Sequence, residues 1–126
     1  MRRKFQSGAN VPMVAETHRR LALELRMTGE TLIASPSVDA FNQLSKMFAA
    51  LCNAGMAGEA IDLATDTMTD ICDRYERVQK IGVSELEAEW LRLAIASIDD
   101  RLPLIPVNRF EKAVAEVAVF CATVGA

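Results

Sequence analysis

Two stretches of helical periodicity meet at Asn53-Ala54-Gly55, and that meeting point constrains the chain more than any other feature. Before it, Phe41, Leu44, Phe48 and Leu51 recur at steps of three and four. After it, Ile61, Ala64, Met68, Ile71, Tyr75 and Val78 do the same. Such spacing places each set on one face of a helix. A turn this short folds the two helices into an antiparallel hairpin. The other segments read as further helices packed against it. The expected fold is therefore all-α, a single-domain bundle of about five helices with the hairpin at its centre.

The 126 residues are 51% hydrophobic and 25% charged, enough for one core without disulfides or metals. Residues 1–10 are basic and polar without periodicity and read as a flexible arm, leaving 11–126 for the bundle. The first helix is expected to open near Asn10, with Pro12 in its first turn, and to run to about Ile33. Its inward row is Val14, His18, Leu21, Leu25, Thr28 and Leu32, and Gly29 weakens its last turns by roughly 1 kcal/mol relative to alanine. Ser35-Pro36 reads as the start of the second helix, which directs Val38, Phe41, Leu44, Phe48 and Leu51 inward until Gly55 ends it. The third helix begins between Ala57 and Glu59 and is expected to continue to about Lys80, where Gly82 stops it. Ser84-Glu85-Leu86-Glu87 fits a capping box and opens the fourth, which Pro103 and Pro106 close. Asn108-Arg109-Phe110-Glu111 reads as the capped start of the fifth. That helix turns Phe110, Val114, Val117, Cys121 and Val124 inward, and from Ala113 onward Glu116 is its one charge.

Several apolar residues are left over. Leu23 and Met27 lie opposite the inward row of the first helix, and Val119 projects from the fifth. The fourth helix carries two apolar faces about 140° apart, Leu86, Trp90, Leu93 and Ser97 on one and Leu91, Ile95, Ile98 and Leu102 on the other. A helix of this kind is central or shared with another subunit. Leu23, Met27, Leu91, Ile95 and Val119 are accordingly the candidate partner-binding residues.

The polar pattern with the most order is Glu59, Asp62, Asp66, Asp70 and Asp73, an acidic stripe opposite the inward row of the third helix. Stripes of this type usually form the solvent face of an amphipathic helix, and they can also imitate a phosphate backbone or dock a basic partner. Charge is distributed unevenly: residues 1–30 carry six basic and three acidic side chains, and residues 58–100 carry four basic and eleven acidic. Arg2, Arg3, Lys4, Arg19, Arg20 and Arg26 could touch phosphates, but the chain as a whole is acidic and no recognition-helix motif follows, which argues against nucleic acid.

Catalytic and metal signatures are sparse. His18, the sole histidine, falls on an apolar stripe and reads as a partly buried core residue; one histidine cannot supply a di-iron bundle site. Cys52, Cys72 and Cys121 are odd in number, lack metal-ligand spacing and read as buried reduced thiols of a cytoplasmic protein. No segment has the apolar length of a membrane span. No cofactor or catalytic residue is implied. A ligand pocket near His18, Tyr75 and Trp90 is the weakest expectation, since no polar set converges there.

The run Leu51-Cys52-Asn53-Ala54-Gly55-Met56-Ala57-Gly58-Glu59-Ala60-Ile61-Asp62-Leu63 resembles the turn of a pentatricopeptide or tetratricopeptide repeat. Those families need tandem copies about 34 residues apart. At that offset the pattern does not recur, so the resemblance implies a helical hairpin and no repeat-type binding. The small, acidic, all-helical character also resembles accessory proteins of phages and mobile elements. The expected function is a non-enzymatic module acting through protein–protein contact, as a homodimeric accessory or regulatory protein. The alternative is an acidic inhibitor that occupies a basic host site as a nucleic-acid mimic.

Overall fold

The computed structural model describes residues 14–124, with the side chain of Val124 excepted. Among these residues there are five helices and no strand: α1 (Ala15–Ala34), α2 (Val38–Asn53), α3 (Glu59–Val78), α4 (Glu85–Arg101) and α5 (Val107–Val124), with a 3-10 turn over Leu102–Leu104. Short connections make successive helices antiparallel. α1 packs on α2 and α4, and α3 packs on the same two, so the first four helices close a ring. α5 stands outside that ring and rests on α2 alone among the helices.

The ring encloses a core in which Leu25, Leu32, Leu44, Phe48, Leu51, Ile71, Leu91, Ile98 and Leu102 are fully buried. Each such side chain contributes roughly 1.5–3 kcal/mol relative to exposure. The periodic rows anticipate most of this core. Their terminal members Val14, Val38 and Val78 are exposed, because the helix ends have no neighbour beside them. α1 and α4 approach closely at Gly29, where a β-carbon would lie 2.5 Å from the Ile95 Cδ1 atom. Glycine therefore has a packing role in α1 that outweighs its poor helix propensity.

The helix ends follow local chemistry, with four departures from the expected boundaries. Gly55 takes φ of 108°, and the Met56 and Gly55 amides donate to the Leu51 and Cys52 carbonyls in a Schellman closure of the α2 end. The Ser84–Glu87 capping box at α4 is present in both directions. The expected start at Asn10 and Pro12, like the basic arm 1–10, lies outside the described residues; α1 begins at Ala15 after Val14, without a side-chain cap. Ser37, not Ser35, caps α2: Pro36 disfavours a helical conformation before it, and the Ser37 hydroxyl accepts the Ala40 amide at 3.0 Å. α3 stops at Gln79, which takes the left-handed conformation at φ 59°, three residues before Gly82. α5 starts at Val107, with the Pro106 carbonyl accepting the Phe110 amide at 3.0 Å, so Asn108 lies inside the first turn.

Arg74 ties α3 to the start of α4. Its guanidinium donates to both Glu87 carboxylate oxygens, at 2.5 and 3.0 Å, and to the Gly82 carbonyl at 2.9 Å. The Ser84 amide also donates to Glu87 Oε1 at 2.9 Å. Burial pushes the Glu87 carboxyl up, but the hydrogen bonds from Arg74 and the Ser84 amide outweigh it and hold the group below the usual carboxylate range.

Candidate functional site

The apolar residues that exceed the needs of the core fall into separate places. Leu23 and Met27 are exposed on the outer face of α1, and Val119 is 66% exposed on α5. Leu91 and Ile95, in contrast, are 0% and 4% exposed and belong to the core. They cannot serve a partner without unfolding the ring. α4 turns this face toward α1 and α3, and its outward apolar residues are Leu86 and Leu93, with Trp90 half-buried. Periodicity defines two faces on such a helix, and only the neighbours decide which is inward.

Among the described residues α5 carries more exposed large apolar side chains than any other helix, Val114, Val119 and Phe120. Ala113 is buried against α2, while Phe110, Val117 and Cys121 are half-buried. The rest of the helix is open: Val114 faces a groove, and Phe120 is 64% exposed on the other flank. Val114 was expected inward, and it lacks cover because α5 has a single neighbour.

Between α5 and α1, above α2, runs a groove of about 720 Å³. α1 lines it with Leu21, Glu24 and Thr28, and α2 with Gln43, Lys46, Met47 and Ala50. α5 contributes Phe110, Val114, Val117, Ala118, Cys121 and Ala122. A shallower hollow on the outer face of α5 is bounded by Lys112, Ala115, Glu116, Val119, Phe120 and Thr123. The groove requires α1 and α5 to straddle α2, an arrangement no single-helix pattern announces. The one sequence signal for it was the near absence of charge after Ala113.

The acidic stripe forms as its spacing implies. Glu59, Asp62, Asp66, Asp70 and Asp73 are all exposed along α3, and none has a cation within 4 Å among the described residues. The row spans about 21 Å at 1.5 Å per residue. Of the basic residues considered for phosphate contact, Arg19, Arg20 and Arg26 are exposed on α1, and Arg2, Arg3 and Lys4 lie outside the described residues.

His18 is half-buried at the α1–α4 contact. Its Nε2 lies 3.0 Å from Asp99 Oδ1 and 3.1 Å from the Asp99 carbonyl oxygen, two acceptors that place the proton on that nitrogen. Arg26 approaches the other Asp99 oxygen at 3.5 Å. The negative charge near the α4 end is thus met by His18 and Arg26, while Arg101 turns away to the Ala57 carbonyl. Trp90 sits nine residues from Asp99, about 13 Å along α4, and none of His18, Tyr75 and Trp90 lines the groove.

The three cysteines are unpaired, and Cys52 is exposed rather than buried, because it lies near the α2 end on the outer side. Partial burial pushes its thiol up, and the Asp62 carboxylate adds to the effect. Among the described residues no group of three or more His, Cys, Asp or Glu side chains is placed to hold a metal ion. No helix is long and apolar enough to cross a membrane. Comparison with protein-family models, curated proteins and solved structures found no match to this chain.

Proposed function

We propose that the protein is a non-catalytic helical module that works through protein–protein contact, self-associating through α5 as an accessory or regulatory homodimer. One observation carries this: from Ala113 onward α5 is apolar around nearly its whole circumference, yet it rests on α2 alone. A helix with that pattern is ordinarily covered on all sides, and contiguous exposed apolar surface marks an interface. Covering the open parts of Val119 and Phe120 is worth roughly 1–2 kcal/mol for each. Arg109 and Lys112 balance Glu111 and Glu116 along α5, so two copies meet without net repulsion there. Three unpaired thiols support a reducing, cytoplasmic setting. Light scattering coupled to sizing tests the proposal. A mass that rises toward twice 13.8 kDa with concentration is expected, and a concentration-independent monomer would overturn it.

A second role is favoured by the unpaired exposure of the α3 stripe: an acidic inhibitor that occupies a basic site on a host protein. Such binding weakens steeply with added salt and with charge reversal at Asp66 and Asp70. Capture of a basic partner that resists salt, and is indifferent to those reversals, would remove this role.

A further inference from the structure

We infer that the outer face of α1, built from Arg19, Arg20, Leu23, Arg26 and Met27, docks α3 of a second copy, so that copies join head to tail. The inference names a basic partner for the acidic stripe and rests on the reading of that stripe as a docking face; α5 takes no part in it.

Placement is the first ground. α1 and α3 each pack on α2 and α4 and not on one another, so they stand at opposite corners of the ring. Two reversals of the chain separate them, and both helices therefore run in the same direction. One copy thus presents the two halves of a contact on opposite sides. A second copy set beside it brings α1 against α3 with the helices parallel. Such a heterologous contact does not close within a pair. Charge is the second. Arg19, Arg20 and Arg26 are exposed around the exposed apolar pair Leu23 and Met27. Arg19 and Arg20 have no carboxylate within 4 Å among the described residues, and Arg26 reaches Asp99 only at 3.5 Å. Glu30 on the same side is neutralised by Arg92 through hydrogen bonds of 2.8 and 2.9 Å, which leaves Glu16 as the one opposing charge. The α3 stripe carries five unpaired carboxylates, and faces of opposite sign steer one copy onto the next.

Spacing is the third. Arg19 and Arg26 stand seven residues apart, about 10.5 Å along α1. Glu59, Asp66 and Asp73 repeat at the same interval along α3, so guanidiniums and carboxylates recur in step on parallel helices. Beside these acids α3 carries Thr65 and Thr69, whose hydroxyls donate to the Asp62 and Thr65 carbonyls at 3.1 and 2.9 Å. Both hydroxyls are satisfied within their own helix and lose little when Leu23 and Met27 cover them.

Light scattering coupled to sizing, at about 50 and about 500 mM salt, tests the contact in the full chain. At low salt the wild-type mass is expected to climb with concentration without levelling at twice 13.8 kDa. High salt is expected to raise the apparent Kd of this growth roughly tenfold or more. Arg19→Glu with Arg20→Glu, and Asp66→Lys with Asp73→Lys, replace exposed side chains that hold no ion pair among the described residues. Circular dichroism checks the helicity of each variant first. Each pair of reversals alone is expected to abolish the salt-sensitive growth, because α1 and α3 then carry like charge. The chain with all four reversals keeps the net charge of -3 and is expected to regain it. A wild-type mass indifferent to salt, or a fourfold variant that regains nothing, overturns the head-to-tail contact. Capture of a basic host protein that is lost with Asp66→Lys and Asp73→Lys would then leave the inhibitor role standing, and association indifferent to salt and to all four reversals belongs to α5.

Discussion

Gly29→Ala would raise helix propensity in the last turns of α1 by about 1 kcal/mol, yet the substitution is expected to destabilise the protein. The added β-carbon would sit 2.5 Å from Ile95 Cδ1, against an optimal carbon–carbon separation of about 3.5–4.0 Å. The Ile95 methyl must therefore retreat by about 1 Å or more within a core that leaves Ile95 only 4% exposed. Overpacking of this kind costs about 1–3 kcal/mol, so the net loss should be about 1 kcal/mol. Ile95→Val removes the offending methyl at a cost of about 0.5–1.5 kcal/mol. In that background Gly29→Ala meets no clash and should recover its propensity gain of about 1 kcal/mol. Urea melts of the wild type, both single variants and the double variant measure the cycle. A favourable coupling of about 2 kcal/mol is expected. Additivity within about 0.5 kcal/mol would refute the close α1–α4 contact as the reason for glycine at this position.

Leu91→Glu should abolish cooperative unfolding, since it buries a charge at a fully enclosed site, whereas Leu23→Glu should leave the monomer within about 0.5 kcal/mol of wild type. Glu87→Gln should cost about 2 kcal/mol at neutral pH by weakening the clasp with Arg74. Because the folded carboxyl lies below its unfolded value near 4.5, its contribution is complete above that value and disappears as pH falls through the folded one. Urea melts at pH 7 and in acid should therefore show the gap between wild type and Glu87→Gln closing. Gln79→Gly should raise stability by roughly 0.5–1 kcal/mol by relieving the left-handed residue at the α3 end; a loss in thermal melts would count against this account. Arg92→Ala should leave the thermal melting midpoint close to that of the wild type, because its paired hydrogen bonds to Glu30 are half exposed.

Local chemistry alone determined the hairpin of α2 and α3, the capping box at Ser84 and Glu87, most of the buried row, and the exposed acidic face of α3. Each depends on residues within a few positions of one another, where spacing translates directly into geometry. Choices between two adequate local signals were settled elsewhere. Ser35 and Ser37 both suit a cap, and the extended backbone around Pro36 selects Ser37. Gly82 is the better left-handed residue, yet α3 ends at Gln79, three residues before it. Tertiary packing alone decided which apolar face of α4 is inward, and it enclosed Leu91 and Ile95 while leaving Leu86 and Leu93 in water. It also brought Asp99 to His18, placed Ile95 against Gly29, and left α5 on a single neighbour with a groove at its side. These features join residues distant in the chain, and a hydrophobic side chain carries no address for the surface that will cover it.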